Sequence, residues 1–489
     1  MLKYKYISSI ELNNSWKRAN KNTYHSLHSM CSRIGSFPPL LARYFIEKYS
    51  LPNQRVLDPF SGKGTVPLEA CLVGRIGIGN DISPEAFTVT HSLVKSVPFY
   101  RIASYIREIK NNGFYDEALS YKTNDEDVGV FYNPNTLGQI LLLKEILKYD
   151  YTDISIFIKG LMCGILHGSS SISLSLPCSH SYSMSPKYVR KYAKKNKLEK
   201  PKRNVLRCLL EKARIVLSDD YPSIRGFAYS HDASKILLKK KVDLIITSPP
   251  YYDKQTYAWD NWLRLWFLGY DYKDIREKLY QTGSVETYFK NSEKYVQYMY
   301  DILNNNSACF IVIGDAIIND KYIKSAERLA YICESVGFDV KKIIVDNIPN
   351  NKKYITHTPR DKGIKVDKIL ELHKGKVKKN DDFITWDKLN NYVKKDIEYK
   401  LTPVKYKIIE NRKLKDIINY NDIIYSFLKL NHDIAKLEIK NVNIKYLKKE
   451  LENTITDKRL QNYIDLSLFN NSIYFEKKLE LPKITMHAN

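Results

Sequence analysis

Residues 55–81 read RVLDPFSGKGTVPLEACLVGRIGIGND, and the order of residue types in them decides the fold. A short apolar strand, RVLDPF (55–60), runs into the glycine-rich turn SGKGT. The helix VPLEACLV follows, and then a second strand, IGIGND. Two strands joined by one helix form a βαβ unit with parallel strands, so the spacing predicts a doubly wound α/β sheet whose ligands bind beyond the carboxyl ends of the strands. The Gly-Lys pair invites comparison with a nucleotide-triphosphate loop, but Lys63 is followed by Gly64 and the earlier glycine of that pattern is missing. Gly62 and Gly64 instead allow a tight strand-to-helix turn along which an uncharged part of a ligand can lie close to the backbone. Asp81 ends the next strand roughly 20 residues on, where a carboxylate accepts hydrogen bonds from ribose hydroxyls. Together the turn and the acid imply a nucleoside-containing cofactor.

Working outward, FPPLLARYFIEKY (37–49) reads as a helix leading into the first strand. After residue 92 the strand–helix alternation stops. Residues 93–226 look helical, with TLGQILLLKEILKY (136–149) and ISIFIKGLMCGILHG (154–168) as the clearest apolar helices. A serine-rich loop and the basic segment KYVRKYAKKNKLEKPKRNVLR follow. This stretch is expected to be an insertion in the sheet. The sheet resumes over 227–350 through GFAYSHDA, VDLIITSPPYY, a helix near 286–303, the strand ACFIVIGDA (308–316) and the helix IKSAERLAYICESVG. Residues 351–489 are rich in Lys, Asn and Ile and read as a folded, mostly helical extension.

A second stretch, VDLIITSPPYYDKQTYAWDNW (242–262), ends a strand in two prolines and two tyrosines, with Ser248, Pro249, Pro250 and Tyr251 at its turn. Consecutive prolines fix backbone dihedrals, and Pro249 has no N–H to donate. As a structural turn the segment leaves a buried strand end with unmatched acceptors.

DPFSGKGTVPLEA, followed by GRIGIGNDISPEA, resembles the S-adenosylmethionine pocket of the amino-group DNA methyltransferases, and TSPPYY resembles their (Ser/Asn/Asp)-Pro-Pro-(Tyr/Phe) tetrapeptide. FPPLLARYFIEKY is similar to the helix that completes the cofactor pocket in that family, and SHDASKIL to the segment whose Asp meets the adenine. The four motifs occur in coherent order over roughly 1–92 and 226–320. The resemblance implies a Rossmann-like methyltransferase sheet. It implies that Asp58, Phe60, Gly62, Gly64, Thr65, Asp81 and Asp232 hold S-adenosylmethionine, and that Ser248, Pro249, Pro250 and Tyr251 form the catalytic site. Lys63 stands where the family usually has Ser.

The chemistry of such a site can be argued from the residues. An exocyclic amine is a poor nucleophile because its lone pair is delocalised into the base ring. Rigid acceptors beside its N–H bonds, here the Ser248 hydroxyl and the Pro249 carbonyl, favour the pyramidal form in which the pair is free. Tyr251 would stack on a target base that has left the duplex, with Tyr252, and also Tyr257 and Trp259, as further lining. Ser at the first position goes most often with cytosine N4 in the family, so cytosine is the favoured target and adenine N6 the alternative. An RNA base methyltransferase is a further alternative, although such enzymes usually carry Asn or Asp before the prolines. Methylation at ring carbon would need a Cys nucleophile; Pro177-Cys178 offers the pair, but in the serine-rich loop instead of at the strand end.

The chain has 489 residues, 44% of them hydrophobic, enough for a sizeable core, and carries a formal charge of +24, which suits a polyanionic partner. Between Lys187 and Arg207 ten basic residues face one acidic. Lys187, Arg190, Lys191 and Arg203, with Tyr188 and Tyr192 among them, are candidate contacts to the phosphates of double-stranded DNA. The setting implied is a restriction–modification or phage-protection system in the cytoplasm, with a cognate restriction endonuclease as a possible partner. The seven cysteines lack ligand spacing, so no metal site is expected. IEYK (397–400) and LEIK (437–440) could suggest a nuclease, but lack a convincing upstream Asp; a recognition or clamp role for this region fits its composition better.

Overall fold

The computed structural model describes residues 4–12, 24–33, 38–177, 183–222, 224–251, 257–279, 284–318, 321–347 and 366–380, with three further strands between 434 and 477. The chain divides into two compact units, Met1–Lys388 and Leu389–Asn489.

The first unit is built on an eight-stranded sheet. Its strands are β1 (Tyr6–Ser8), β2 (Arg55–Asp58), β3 (Ile76–Asn80), β4 (Phe227–Tyr229), β5 (Val242–Thr247), β6 (Leu303–Gly314), β9 (Asp339–Asn347) and β10 (Val366–Lys374); β7 (Ala316–Ile318) and β8 (Lys321–Ile323) form a separate hairpin. The order across the sheet is β1-β9-β10-β6-β5-β2-β3-β4. Only β10 runs antiparallel to its neighbours; the other pairings are parallel. From β2 the chain steps outward to β3 and β4, then returns to the other side of β2 with β5 and β6. The order therefore reverses between β2 and β5, the switch point at which open α/β sheets bind ligands. The doubly wound sheet expected from residues 55–81 is present.

Close approach of helix to strand explains the glycines of β3. A Cβ on Gly77 would lie 1.9 Å from the Pro67 carbonyl oxygen, and one on Gly79 would lie 2.5 Å from Thr90 Cγ2. The helices Thr65–Leu72 and Pro84–Val94 can settle onto the sheet only because those positions lack side chains. Strand alternation then distributes β6 between two layers. Cys309, Ile311 and Ile313 enter the core shared with the helices Val285–Ile302 and Ser325–Val336, whereas Phe310 stacks at 4.1 Å on Phe45 of the helix Pro39–Tyr49.

Between β3 and β4 lie the helices Phe99–Asn111, Pro134–Leu147, Asp153–Ile165, Pro186–Asn196 and Val205–Val216. Their buried residues, Ile102, Leu143, Phe157 and Leu209 among them, share one core with Leu68, Val89 and Leu93 of the two helices that flank β3. The sheet and the inserted helices are thus packed through common side chains.

Two expectations for the chain beyond residue 350 are corrected. The sheet does not end there: β10 inserts between β6 and β9, with Ile369 opposite both Val312 and Ile344. The extension is not helical where it is described. The second unit shows β11 (Ile434–Glu438), β12 (Ile464–Phe469) and β13 (Ser472–Lys477), an antiparallel sheet in the order β11-β13-β12. Residues 397–400 of the nuclease-like IEYK lie outside the described residues.

Candidate active site

The carboxyl ends of β2, β3, β4 and β5 converge, and hydrogen bonds lock them together. Thr247, the last residue of β5, donates its hydroxyl to Asp58 Oδ1 at 2.6 Å, and the Phe60 N–H donates to the same oxygen at 3.1 Å. Asp58 is 4% exposed, and its burial pushes the carboxyl up to about 7 against the pull of those two bonds. Asn80 ties three strand ends: its amide donates to the carbonyls of Pro59 (3.1 Å) and His231 (3.0 Å), and its side-chain oxygen accepts from the His231 N–H.

The turn after β2 has the geometry its glycines suggested. Gly62 and Gly64 have φ of 49° and 77°, the left-handed region that other residues enter at a cost. They differ in what surrounds them. A Cβ on Gly64 would meet Thr90 Oγ1 at 2.9 Å and Leu93 Cδ1 at 3.1 Å. One on Gly62 would come no closer than 3.7 Å, to Arg33 Nε, so the backbone there stays approachable by a ligand. Thr65 is buried at the start of the following helix, and Phe60 packs edge-on against Tyr295 with ring centroids 5.0 Å apart.

Asp81 faces the turn. Its Oδ2 accepts from the Gly62 N–H at 2.9 Å and its Oδ1 from the Ser83 N–H at 3.0 Å. Burial pushes the Asp81 carboxyl up, and the Arg33 guanidinium opposes that. Arg33 is paired with Glu85 and lies 6.0 Å from the ring centroid of Tyr257. Asp232, after β4, accepts from the Ser234 N–H (2.8 Å) and hydroxyl (2.6 Å), an Asx turn at the rim of the same edge.

After β5, Pro249 is buried while Ser248, Pro250 and Tyr251 are half-buried. The Pro250 carbonyl accepts from the Tyr288 hydroxyl at 2.8 Å. The Tyr251 hydroxyl donates to Asp367 Oδ1 at 3.2 Å. Burial pushes the Tyr257 hydroxyl up to about 12. Tyr257 thus stands beside the Arg33–Asp81 pair. Trp259 instead packs with Trp262 and Tyr272 against the helical core. Tyr252 and Cys178 lie outside the described residues.

The basic helix Pro186–Asn196 is held by a Ser185 cap, whose hydroxyl accepts from the Tyr188 N–H at 3.2 Å, and by the buried Val189. Tyr188 and Tyr192 stack at 5.8 Å with an interplanar angle of 13°, and Lys187 and Lys191 are exposed. Arg190 is exposed but engaged, its guanidinium 3.0 Å from Asp127. Arg203 is half-buried, its N–H donating to Thr136 Oγ1 at 2.8 Å, so Lys187 and Lys191 are the more accessible of the four candidate phosphate contacts.

Arg33, Asn80, Tyr288 and Asp367 were not singled out by the sequence. Each acts across a long separation in the chain, and only the residue types of Arg33 and Asp367 hinted at a partner.

Among the described residues no group of His, Cys, Asp and Glu is arranged to hold a metal ion, and no helix is long and apolar enough to cross a membrane. The six described cysteines are free and buried.

Residues 2–92 match the family model N6_N4_Mtase, described as DNA methylase. The chain is 31% identical over 120 residues to Type II methyltransferase M.MthZI of Methanothermobacter thermautotrophicus, a match covering 22% of this chain and 34% of that relative. It is 24% identical over 315 residues to Type II methyltransferase M.BsoBI of Geobacillus stearothermophilus, covering 56% of this chain and 59% of that protein. The chain thus spans about a third to three fifths of the curated relatives it matches. Among solved structures, TrmN of Thermus thermophilus aligns over 71% of this chain and 52% of its own, at 11% identity and a TM-score of 0.30. A likeness that slight says nothing of this chain's chemistry.

Proposed function

We propose that the protein is an S-adenosylmethionine-dependent DNA methyltransferase that transfers a methyl group to an exocyclic amine of a flipped-out base, the N4 amine of cytosine in first place. One observation carries the reading: the 2.6 Å bond from Thr247 to Asp58 joins the strand end bearing Ser248-Pro249-Pro250-Tyr251 to the turn bearing Gly62 and Gly64. Two motifs 189 residues apart thus share one cleft edge, as a donor and an acceptor of a methyl group must. The match of residues 2–92 to the DNA methylase model and the relatives named as Type II methyltransferases support the same reading.

In this scheme Asp81 takes the ribose hydroxyls, the open backbone at Gly62 lets the cofactor lie against the turn, and Asp58, Phe60, Gly64 and Thr65 hold that turn in shape. Asp232 meets the adenine. S-adenosylmethionine supplies an already activated methyl, so the chain's own residues supply position and electrostatics. Ser248 and the Pro249 carbonyl accept from the amine N–H bonds, and Tyr251 stacks on the base. Lys187 and Lys191, with Arg190 and Arg203 behind them, hold the duplex by its phosphates. The setting proposed is a restriction–modification or phage-protection system in the cytoplasm, with a cognate restriction endonuclease as partner.

The test is transfer of a radiolabelled methyl group to unmethylated double-stranded DNA, with RNA as the competing acceptor. Label in DNA, and a Ser248→Ala variant slowed by about 10²-fold as expected for a lost transition-state hydrogen bond, supports the mechanism. Full activity in that variant removes Ser248 from it, and label in RNA alone replaces the substrate.

A further inference from the structure

We propose that Asp367 is a positioning residue for Tyr251, so that the antiparallel strand β10 completes the base pocket from a point 116 residues beyond the catalytic motif. The inference rests on the reading of the tetrapeptide given above and adds to it a residue that lies in none of the four motifs.

The register brings Asp367 to this edge. Because β10 runs opposite to its neighbours, its first residues lie beside the last residues of β6 and β9: Asp367 pairs with Gly314 on one side and with Asp346 on the other. A strand in the parallel sense would have put its start at the far edge of the sheet. Successive residues point to opposite faces, and the adjacent Lys368 is committed to Asp315 (2.7 Å) and Glu327 (2.9 Å). Asp367, on the other face, receives the Tyr251 hydroxyl at 3.2 Å.

The bond matters for a ring that must be flat against a base. The Tyr251 ring is packed against the core that includes Tyr288 and Phe289, and a phenol half-buried in this way needs a partner for its hydroxyl. Its other end is also fixed, since the Pro250 carbonyl just before it takes the Tyr288 hydroxyl at 2.8 Å. Anchored at both ends, the ring loses its rotational freedom on folding and not on binding, so that less entropy opposes stacking when a base arrives.

A four-protein comparison tests this: wild type, Tyr251→Phe, Asp367→Ala and the double variant. Methyl transfer from S-adenosylmethionine to unmethylated double-stranded DNA is measured against DNA concentration, and cofactor affinity is measured separately by calorimetry. Each single variant is expected to lower kcat/KM for DNA about tenfold, with cofactor affinity within twofold of wild type and the double variant no worse than the poorer single. Wild-type kinetics in Asp367→Ala, or a double variant that loses the product of the two single effects, overturns the proposal. If wild type labels no DNA, the reading of the site fails separately, and the pair is judged by the same cycle in urea unfolding. There a coupling of about fivefold in the unfolding equilibrium is expected, and no coupling overturns it.

Discussion

Asp58 shows how a single side chain can record its position in the sheet. It is buried and holds Thr247 and the Phe60 N–H, yet its carboxyl is pushed up to about 7 because burial outweighs the two bonds. A carboxyl raised in the folded state contributes stability that is fully present below its ordinary value near 3.8 and is lost as pH rises through about 7. Asp58→Asn is therefore expected to melt progressively closer to, or above, wild type as pH is raised from 4 to 8. Calorimetric melting of both proteins across that range checks the sign. Gly64 gives a second prediction at this scale. Gly64→Ala adds a Cβ in the left-handed region and within 3.1 Å of Thr90 and Leu93, and should cost about 2–3 kcal/mol of unfolding free energy. Gly62→Ala, where that Cβ has room, should cost only about 1–2 kcal/mol from the backbone and show its larger effect on S-adenosylmethionine affinity. Denaturant unfolding and cofactor calorimetry separate the two. The glycines and Asp81 were legible because their work is local, within one βαβ unit. Asn80 and Arg33 were not: their partners His231 and Tyr257 lie 151 and 224 residues away, and no spacing announces them.

At the scale of elements, the strand-and-helix alternation around residues 55–81 and the apolar run Val242–Thr247 announced themselves, whereas β10 did not. The buried stretch of β10, Ile369–His373, includes Glu371 and His373, charged residues that a periodicity reading assigns to solvent. Inside the sheet they satisfy one another: His373 Nε2 and the Tyr49 hydroxyl each lie 3.0 Å from Glu371 Oε1, and Lys342 lies 3.1 Å from Oε2. Although burial pushes it up, His373 and the nearby lysines hold the Glu371 carboxyl at about 2, below its ordinary value. A cavity of about 660 Å³ opens beside this cluster, at the end of β10 away from Asp367. A paired polar core inside a lysine-rich segment thus looks like a helix surface when read by hydropathy alone. The basic helix is the element with the clearest prediction. Replacing exposed Lys187 and Lys191 with Ala should weaken DNA binding about equally for all sequences and reduce the slope of log affinity against log salt by roughly 2. Salt titrations by fluorescence anisotropy check this; an unchanged slope would move the phosphate contacts elsewhere.

At the scale of the molecule, the charge of +24 suits a polyanion, but the substrate is argued from the edge where β2 to β5 end and not from net charge. That edge gathers the Gly62–Gly64 turn, the Asp81 carboxylate and the Pro-Pro-Tyr strand end, held together by Asp58–Thr247, by Asn80 and by the Arg33–Tyr257 contact. The most direct measurement is the base composition of DNA from a methylation-deficient host expressing the protein, hydrolysed and resolved by mass spectrometry. The account predicts N4-methylcytosine, absent from the same host carrying Ser248→Ala; N6-methyladenine would keep the exocyclic-amine chemistry and change the base. DNA containing neither modified base, with the protein folded and able to bind S-adenosylmethionine, would contradict it.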